Sequence, residues 1–132
     1  GMEIFTNTAK VLAARKMNLE LVLSAHNKQC LSCVRSTTCE LQKLANEYGV
    51  DELRFSGEKN KYKIDDATPI IRDNNKCILC RRCVAACRNQ FVGVIGARDR
   101  GFNTSIGCAF EDDLNNSACI SCSSYHIFHA CG

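Results

Sequence analysis

Four cysteines lie close together in the run Cys77-Ile-Leu-Cys80-Arg-Arg-Cys83-Val-Ala-Ala-Cys87. Thiolates at a Cys-x2-Cys-x2-Cys-x3-Cys spacing bind 4Fe–4S clusters, with the first three on one cluster and the fourth on another. The two-residue steps form a tight loop that turns successive sulfurs toward one centre, whereas the three-residue step onto a helix turns Cys87 elsewhere. The run therefore predicts iron–sulfur chemistry, with Cys77, Cys80 and Cys83 on one cluster and Cys87 on a second.

A second group of metal-binding side chains lies upstream, in His26-Asn-Lys-Gln-Cys30-Leu-Ser-Cys33-Val-Arg-Ser-Thr-Thr-Cys39. One imidazole and three thiols at this density can close a metal site without help from the rest of the chain. Taken alone, the segment suits zinc and an iron–sulfur cluster equally well. The cysteine run downstream favours iron–sulfur here too.

The cysteine content is high, 11 in 132 residues, near the level at which a short chain depends on a covalent or metal framework. The odd count, the tight Cys-x2-Cys clustering and the lack of a secretory signal all disfavour disulfides and suit a reducing compartment. Charged residues from Lys10 to Glu20 interrupt the N-terminal segment, so it predicts neither a signal sequence nor a membrane span. We expect a cytoplasmic protein that does not contact a membrane.

The formal net charge of +3 does not predict nucleic-acid binding. Metal ligation deprotonates thiols, and the charges of thiolates and clusters together bring the expected net charge of the loaded chain close to zero. A nucleic-acid-binding surface also needs a basic face with interleaved aromatic residues. Here aromatic residues make up 7% of the chain, tryptophan is absent, and the basic residues are scattered. We expect no nucleic-acid partner.

The elements that position the ligands are predicted to be short. Residues 6–26 read as helical, in one piece or in two with Asn18 as an internal cap, and His26 lies on their apolar face. A second helix is predicted from Cys39, with a capping box formed by residues 37 and 40, and Gly49 ends it.

The second half reads as irregular with short strands. Ile70-Ile71 is a strand candidate, followed after the cysteine run by a strand at 91–96, a turn at 98–101 and a strand at 102–110. Cys108 is predicted to be a buried, inert thiol. A helical turn near 111–114 leads to Cys119-Ile-Ser-Cys122.

These assignments predict an α+β fold. A small helical domain with the one-histidine, three-cysteine site spans residues 2–56, and a polar linker spans 57–68. A domain holding two further clusters spans 69–132.

With these pieces placed, the sequence resembles the N-terminal iron–sulfur module of iron-only (FeFe) hydrogenases. Related modules occur in NAD(P)-linked hydrogenase subunits, in NAD-dependent formate dehydrogenases and in the G chain of complex I. The matching segments are His26-x3-Cys30-x2-Cys33-x5-Cys39, residues 72–83, residues 94–104 and Cys119-x2-Cys122. The resemblance implies a ferredoxin-like second domain and up to three 4Fe–4S clusters. Its implied ligand sets are His26, Cys30, Cys33 and Cys39; then Cys77, Cys80 and Cys83; then Cys87, Cys119 and Cys122.

The C-terminal residues depart from that family's pattern from position 123. The pattern would place cysteines at 125 and 129 and a proline at 130, where this chain has Tyr125, His129 and Ala130. Three explanations compete. His129 or Cys131 substitutes as a ligand, one or both ferredoxin-type clusters are incomplete, or the chain ends abnormally through truncation or a frame shift.

By resemblance, the chain is expected to relay electrons between a soluble carrier and a catalytic domain that it does not itself contain. The implied partners are a hydrogenase catalytic domain or subunit, and a ferredoxin or an NAD(P)H-linked flavoprotein subunit. We expect no catalytic residue and no hydrogen turnover by this chain alone. Two alternatives remain: a zinc-stabilised binding module, and a cluster-deficient fragment without a redox role.

Overall fold

A computed structural model of the chain describes residues 1–59, 61–66 and 70–122. Its first element is helix α1 (Ala9–Ala25), and the Thr8 side chain caps it by accepting a hydrogen bond from the Val11 amide. The helix runs unbroken through Asn18, so the predicted internal cap at that residue is wrong. One asparagine costs a helix interior only a few tenths of a kcal/mol, which the packed helix tolerates. His26 directly follows the last helical residue, with extended backbone.

Helix α2 (Glu40–Glu47) begins immediately after Cys39, whose side chain makes no capping hydrogen bond. The predicted capping box is wrong, because Thr37 has a left-handed backbone (φ 72°) and its amide donates to the Gln42 side chain. The Glu40 carboxylate instead accepts a hydrogen bond from Arg82, 2.7 Å away. Tertiary pairing has therefore replaced the local cap.

The predicted end of α2 at Gly49 is confirmed. Gly49 has φ +60°, and this left-handed turn lets the Val50 amide donate back to the Ala45 carbonyl at 2.9 Å, the usual way in which a glycine ends a helix. Lys16 of α1 donates to the Gly49 carbonyl at 2.8 Å. The end of α2 is thereby tied to the middle of α1.

A buried carboxylate joins α1 to the segment that follows α2. Glu20 is 1% exposed, and it accepts hydrogen bonds from the Nε and terminal nitrogens of Arg54 at 2.7 and 2.6 Å. The sequence showed two charged residues far apart in the chain but not their pairing.

Gly57 lies against the last turn of α1, where a Cβ atom at residue 57 would come within 2.9 Å of the backbone and hydroxyl of Ser24. We expect Gly57→Ala to lower the free energy of unfolding by about 1–3 kcal/mol, because helix backbone cannot move aside cheaply. Urea unfolding followed by circular dichroism measures the change. Gly96→Ala is the matched control, since a Cβ there meets nothing within 4 Å. Equal stability of the two variants would contradict this account.

The second half contains helix α3 (Arg82–Asn89) and two antiparallel strands, β1 (Gly96–Arg98) and β2 (Ser105–Gly107). Gly96 pairs with Gly107, and Arg98 pairs with Ser105. Single turns of 3-10 helix complete the described elements: Cys30–Ser32, Asn74–Lys76, Gly101–Asn103, Ala109–Glu111 and Leu114–Asn116.

The predicted strand at 91–96 is wrong. The backbone turns there, with left-handed residues at Phe91 (φ 57°) and Gly93 (φ 65°), and the first strand starts only at Gly96. The turn at 98–101 is confirmed, and the strand predicted at 102–110 is confirmed but limited to β2. The strand candidate at Ile70-Ile71 is reduced to one isolated bridge between Asp65 and Arg72.

The hydrophobic core of the second half is small. Its buried members are Ile70, Val84, Ile95, Ile106, Cys108 and Leu114, and Cys77, Cys83, Cys87, Val94 and Cys119 pack against it half-buried. Cys108 is 2% exposed, which confirms the predicted buried thiol. Four of the proposed ligand cysteines therefore form part of the wall of the core.

A buried ion pair crosses this core. Arg72 and Asp65 are 6% and 4% exposed, and a terminal nitrogen of Arg72 lies 3.1 Å from Asp65 Oδ2. The same carboxylate oxygen accepts a hydrogen bond from the Leu114 amide at 3.1 Å. The pair thus ties the segment before the cysteine run to the segment that precedes Cys119.

The mixture of helices with a two-stranded sheet agrees with the predicted α+β class. The ferredoxin-like, two-cluster character of the second half and the domain boundaries remain predictions. Among the helices that the structure describes, none combines the length and apolar character needed to cross a bilayer.

Candidate iron–sulfur sites

The four predicted ligands of the first cluster line one cavity. This cavity has a volume of about 30 Å³ and is partly open to solvent, and its wall includes His26, Cys30, Cys33 and Cys39. The end of α1 delivers His26, the 3-10 turn at Cys30–Ser32 delivers the next two thiols, and Cys39 is the N-cap of α2. We call this cavity the first site.

The loop between Cys33 and Cys39 turns back toward its own sulfur. The Arg35 amide lies 3.5 Å from Cys33 Sγ and donates to it, and the Arg35 guanidinium donates to the Thr38 carbonyl at 3.4 Å. Thr37 adopts the left-handed conformation that closes the turn. Amide donors directed at sulfur favour the thiolate, which is the form that binds metal.

The imidazole of His26 is poised as a neutral ligand. Burial lowers its pKa below the ordinary value, the nearby charges of Lys59 and Lys76 lower it further, and a hydrogen bond to the backbone of Lys76 acts in the opposite direction. That sign is expected when an imidazole N–H donates to a carbonyl oxygen, which leaves the other ring nitrogen free. Neutral imidazole is the metal-binding form.

The three predicted ligands of the second cluster, Cys77, Cys80 and Cys83, are close enough for their charges to interact. Burial raises the pKa of the Cys77 thiol, and burial together with its cysteine neighbours raises the pKa of Cys83 to about 11. Without metal the Cys77 and Cys83 thiols keep their protons at neutral pH, so metal binding must release those protons. We call this loop the second site.

Left-handed residues shape three of the four Cys-x2-Cys loops, all except the one between Cys30 and Cys33. Leu79 (φ 58°), Arg81 (φ 59°) and Ser121 (φ 50°) each lie between two of the cysteines. The turn at Leu79 brings its amide to 3.4 Å from Cys77 Sγ. Leucine and arginine in this region are strained relative to glycine, so the loop geometry is imposed against local preference.

The three predicted ligands of the third cluster also meet. A cavity of about 30 Å³, here called the third site, is lined by Cys83, Cys87, Cys119 and Cys122 together with core side chains. Cys83 and Cys87 lie one turn apart on α3, on the same face, a juxtaposition that the motif spacing did not predict. The proposed substitute ligands His129 and Cys131 lie outside the described residues.

The first and second sites adjoin each other. A cleft of about 230 Å³ between them is lined by His26 and Cys39 on one side and Cys80 on the other. At its edge Arg82 and Glu40 form an ion pair of 2.7 Å, with both side chains more than half exposed. Such an exposed pair contributes about 0–1 kcal/mol.

A site for a single metal ion differs from a site for a cluster. Within residues 1–59, 61–66 and 70–122, no three His, Cys, Asp or Glu side chains are arranged so as to hold a metal ion.

Residues 15–54 match the family described as the NADH-ubiquinone oxidoreductase-G iron-sulfur binding region. The chain is 44% identical over 124 residues to the NADP-reducing hydrogenase subunit HndD of Solidesulfovibrio fructosivorans, covering 92% of this chain and 21% of that protein. It is 37% identical over 115 residues to the NADH-ubiquinone oxidoreductase 75 kDa subunit of Acanthamoeba castellanii, covering 85% of this chain and 17% of that one.

Among solved structures, the chain is similar to an NAD+-reducing NiFe hydrogenase in the H2-reduced state. The TM-score is 0.84 at 26% identity, over 90% of this chain and 52% of that chain. The chain thus spans about a fifth or less of the two relatives above and about half of the solved chain. None of these matches is specific to iron-only hydrogenases. The cofactor class predicted from the cysteines is confirmed, and the chain is similar to the 4Fe–4S-binding part of the G-type chains of NADH-linked oxidoreductases and hydrogenases.

Proposed function

We propose that this chain is an iron–sulfur electron-transfer module of an NAD(P)H-linked, hydrogenase-like oxidoreductase. The observation that carries the proposal is the convergence of His26, Cys30, Cys33 and Cys39 on one cavity. The matched family region, residues 15–54, contains all four.

The donor set of the first site fits a 4Fe–4S cluster. Three thiols and one half-buried imidazole, whose pKa burial lowers, provide four ligands, and the amide of Arg35 already points at one sulfur. Three thiolates carry one negative charge fewer than four, so this set should be easier to reduce than an all-cysteine set in the same pocket.

The second and third sites complete the proposed relay. Cys77, Cys80 and Cys83 would bind one cluster, and Cys87, Cys119 and Cys122 another. The fourth ligand of each is proposed to be His129 or Cys131, or else absent, which leaves an incomplete cluster.

A bound 4Fe–4S cluster supplies one-electron redox chemistry, at a potential that cluster charge, hydrogen bonds to sulfur and burial adjust over about −700 to +450 mV. The chain's own residues provide the surroundings. The Leu79 and Arg35 amides donate to sulfur. The core around Ile106 and Leu114 packs against the half-buried thiols of Cys77, Cys83, Cys87 and Cys119.

The proposed partners are the other subunits or domains of such an oxidoreductase. They are a hydrogenase catalytic domain or subunit, and a ferredoxin or NAD(P)H-linked flavoprotein subunit that exchanges electrons with it. The finer proposal of an FeFe-hydrogenase-like assembly rests on residues 94–104 and on the Cys119-x2-Cys122 pair. In either assembly this chain is an accessory, non-catalytic part.

Iron, zinc and acid-labile sulfide per chain, measured on anaerobically purified protein, test the proposal. About twelve irons with equal sulfide would support three complete clusters, and roughly four to eight would support loss at the second or third site. One or two zinc ions without sulfide would overturn the proposal in favour of a zinc-stabilised binding module. A folded chain without metal or sulfide would overturn it in favour of a fragment with no redox role.

A further inference from the structure

Lys76 belongs by sequence to the second site but lines the first. It is the last residue of the 3-10 turn Asn74–Lys76 and immediately precedes Cys77. The other residues that line the cavity of the first site all come from residues 26–42. Lys76 therefore closes the wall of the first site from the neighbouring loop.

The backbone of Lys76 also acts on the His26 imidazole, raising its pKa against the effect of burial. The surroundings of a proposed ligand of the first site thus include the loop of the second.

That loop is held firmly on both sides. The Asn74 side chain donates to the Ile106 carbonyl of β2 at 2.9 Å. Asn75 exchanges two hydrogen bonds of 2.9 Å with the Tyr62 backbone, and its amide donates to Asp73 at 2.9 Å. Because Lys76 follows these anchors directly, its backbone is held in a fixed position beside the first site.

The positive charges of Lys59 and Lys76 both lower the pKa of His26. Lys59 is exposed, so water and salt screen its charge. Lys76 is half-buried and lines the cavity itself, and a charge beside a partly dry cavity acts more strongly on its contents.

We propose that Lys76 raises the reduction potential of the cluster bound at the first site through its ammonium group. This inference rests on the proposed function and deepens it. The second loop then helps to set the potential of the first cluster.

The test is a redox titration followed by EPR on the anaerobically prepared chain, comparing wild type with Lys76→Met, Lys76→Arg and Lys10→Met. The nitrogen coupling of the imidazole ligand identifies the signal of the first cluster. In Lys76→Met, at the wild-type midpoint potential, we expect the reduced-to-oxidised ratio of that cluster to fall about tenfold, equivalent to ~59 mV for a one-electron couple. Lys76→Arg should keep the wild-type value. Lys10→Met is the matched control, because Lys10 lies sixteen residues before His26, roughly 24 Å along α1.

An unchanged potential in Lys76→Met would overturn the inference, and so would a shift confined to the cluster at Cys77. If Lys76→Met binds no first cluster, Lys76→Gln replaces it in the titration, with the same two outcomes deciding. Wild-type protein that contains no sulfide would defeat the proposed function instead, so the two failures are distinguishable.

Discussion

Replacing Cys33 with alanine is expected to remove one whole cluster, about four irons and four sulfides per chain. Cys33 lines the first site, and the other two thiols lining that cavity, Cys30 and Cys39, are already assigned as proposed ligands. The segment from His26 to Cys39 contains only one short turn of regular structure. We therefore expect metal binding to supply much of its folding free energy, and the loop to loosen when the cluster is lost.

Iron and sulfide assays on anaerobic protein measure this effect, and Cys108→Ala is the matched control. Cys108 is a buried core residue, so its removal should leave the iron content unchanged and cost stability of order 1 kcal/mol. Equal iron in Cys33→Ala and wild type would contradict the assignment of the first site.

The second large effect is expected from Arg72→Met, at about 3–5 kcal/mol of unfolding free energy. The substitution leaves the buried carboxylate of Asp65 without its counter-ion, and only the Leu114 amide still donates to it. The Ile106 carbonyl, to which Arg72 also donates, keeps the Asn74 amide as a donor. The cost therefore arises mainly at Asp65.

Urea unfolding at equal iron content measures this cost, with Lys63→Met as the matched control. Lys63 pairs with Asp113 at 3.8 Å, and its side chain is 84% exposed, so its loss should cost less than about 1 kcal/mol. Adding Asp65→Asn to Arg72→Met should recover part of the loss by removing the unpaired charge. If Arg72→Met costs no more than Lys63→Met, the pair does not stabilise the core.

Local signals in the sequence were sufficient for the helices and for the grouping of the ligands of the first site. Cys-x2-Cys spacing acts over a few residues, and the glycine at position 49 ends α2 through its own backbone freedom. The strand predicted at 91–96 failed because an apolar pattern reports burial rather than strand pairing. Val94 and Ile95 do face the core, but without a partner strand beside them.

Long-range charge pairing could not be predicted. Glu20 meets Arg54, Glu40 meets Arg82 and Asp65 meets Arg72 only after the chain has folded back on itself. Each residue alone looks like an ordinary surface charge. The position of Lys76 could not be predicted either. It lies far from His26 along the chain, and no local pattern indicates that it lines the first site.

The left-handed residues between the cysteines also restrict how this sequence can change over evolution. Leu79, Arg81 and Ser121 are exposed, and exposed side chains ordinarily tolerate almost any substitution. Here the left-handed backbone conformation limits substitution instead. Glycine or asparagine can adopt its positive φ readily, whereas the β-branched valine, isoleucine and threonine adopt it at a high energetic cost. Substitution at these three surface positions is therefore limited by the left-handed backbone rather than by side-chain contacts.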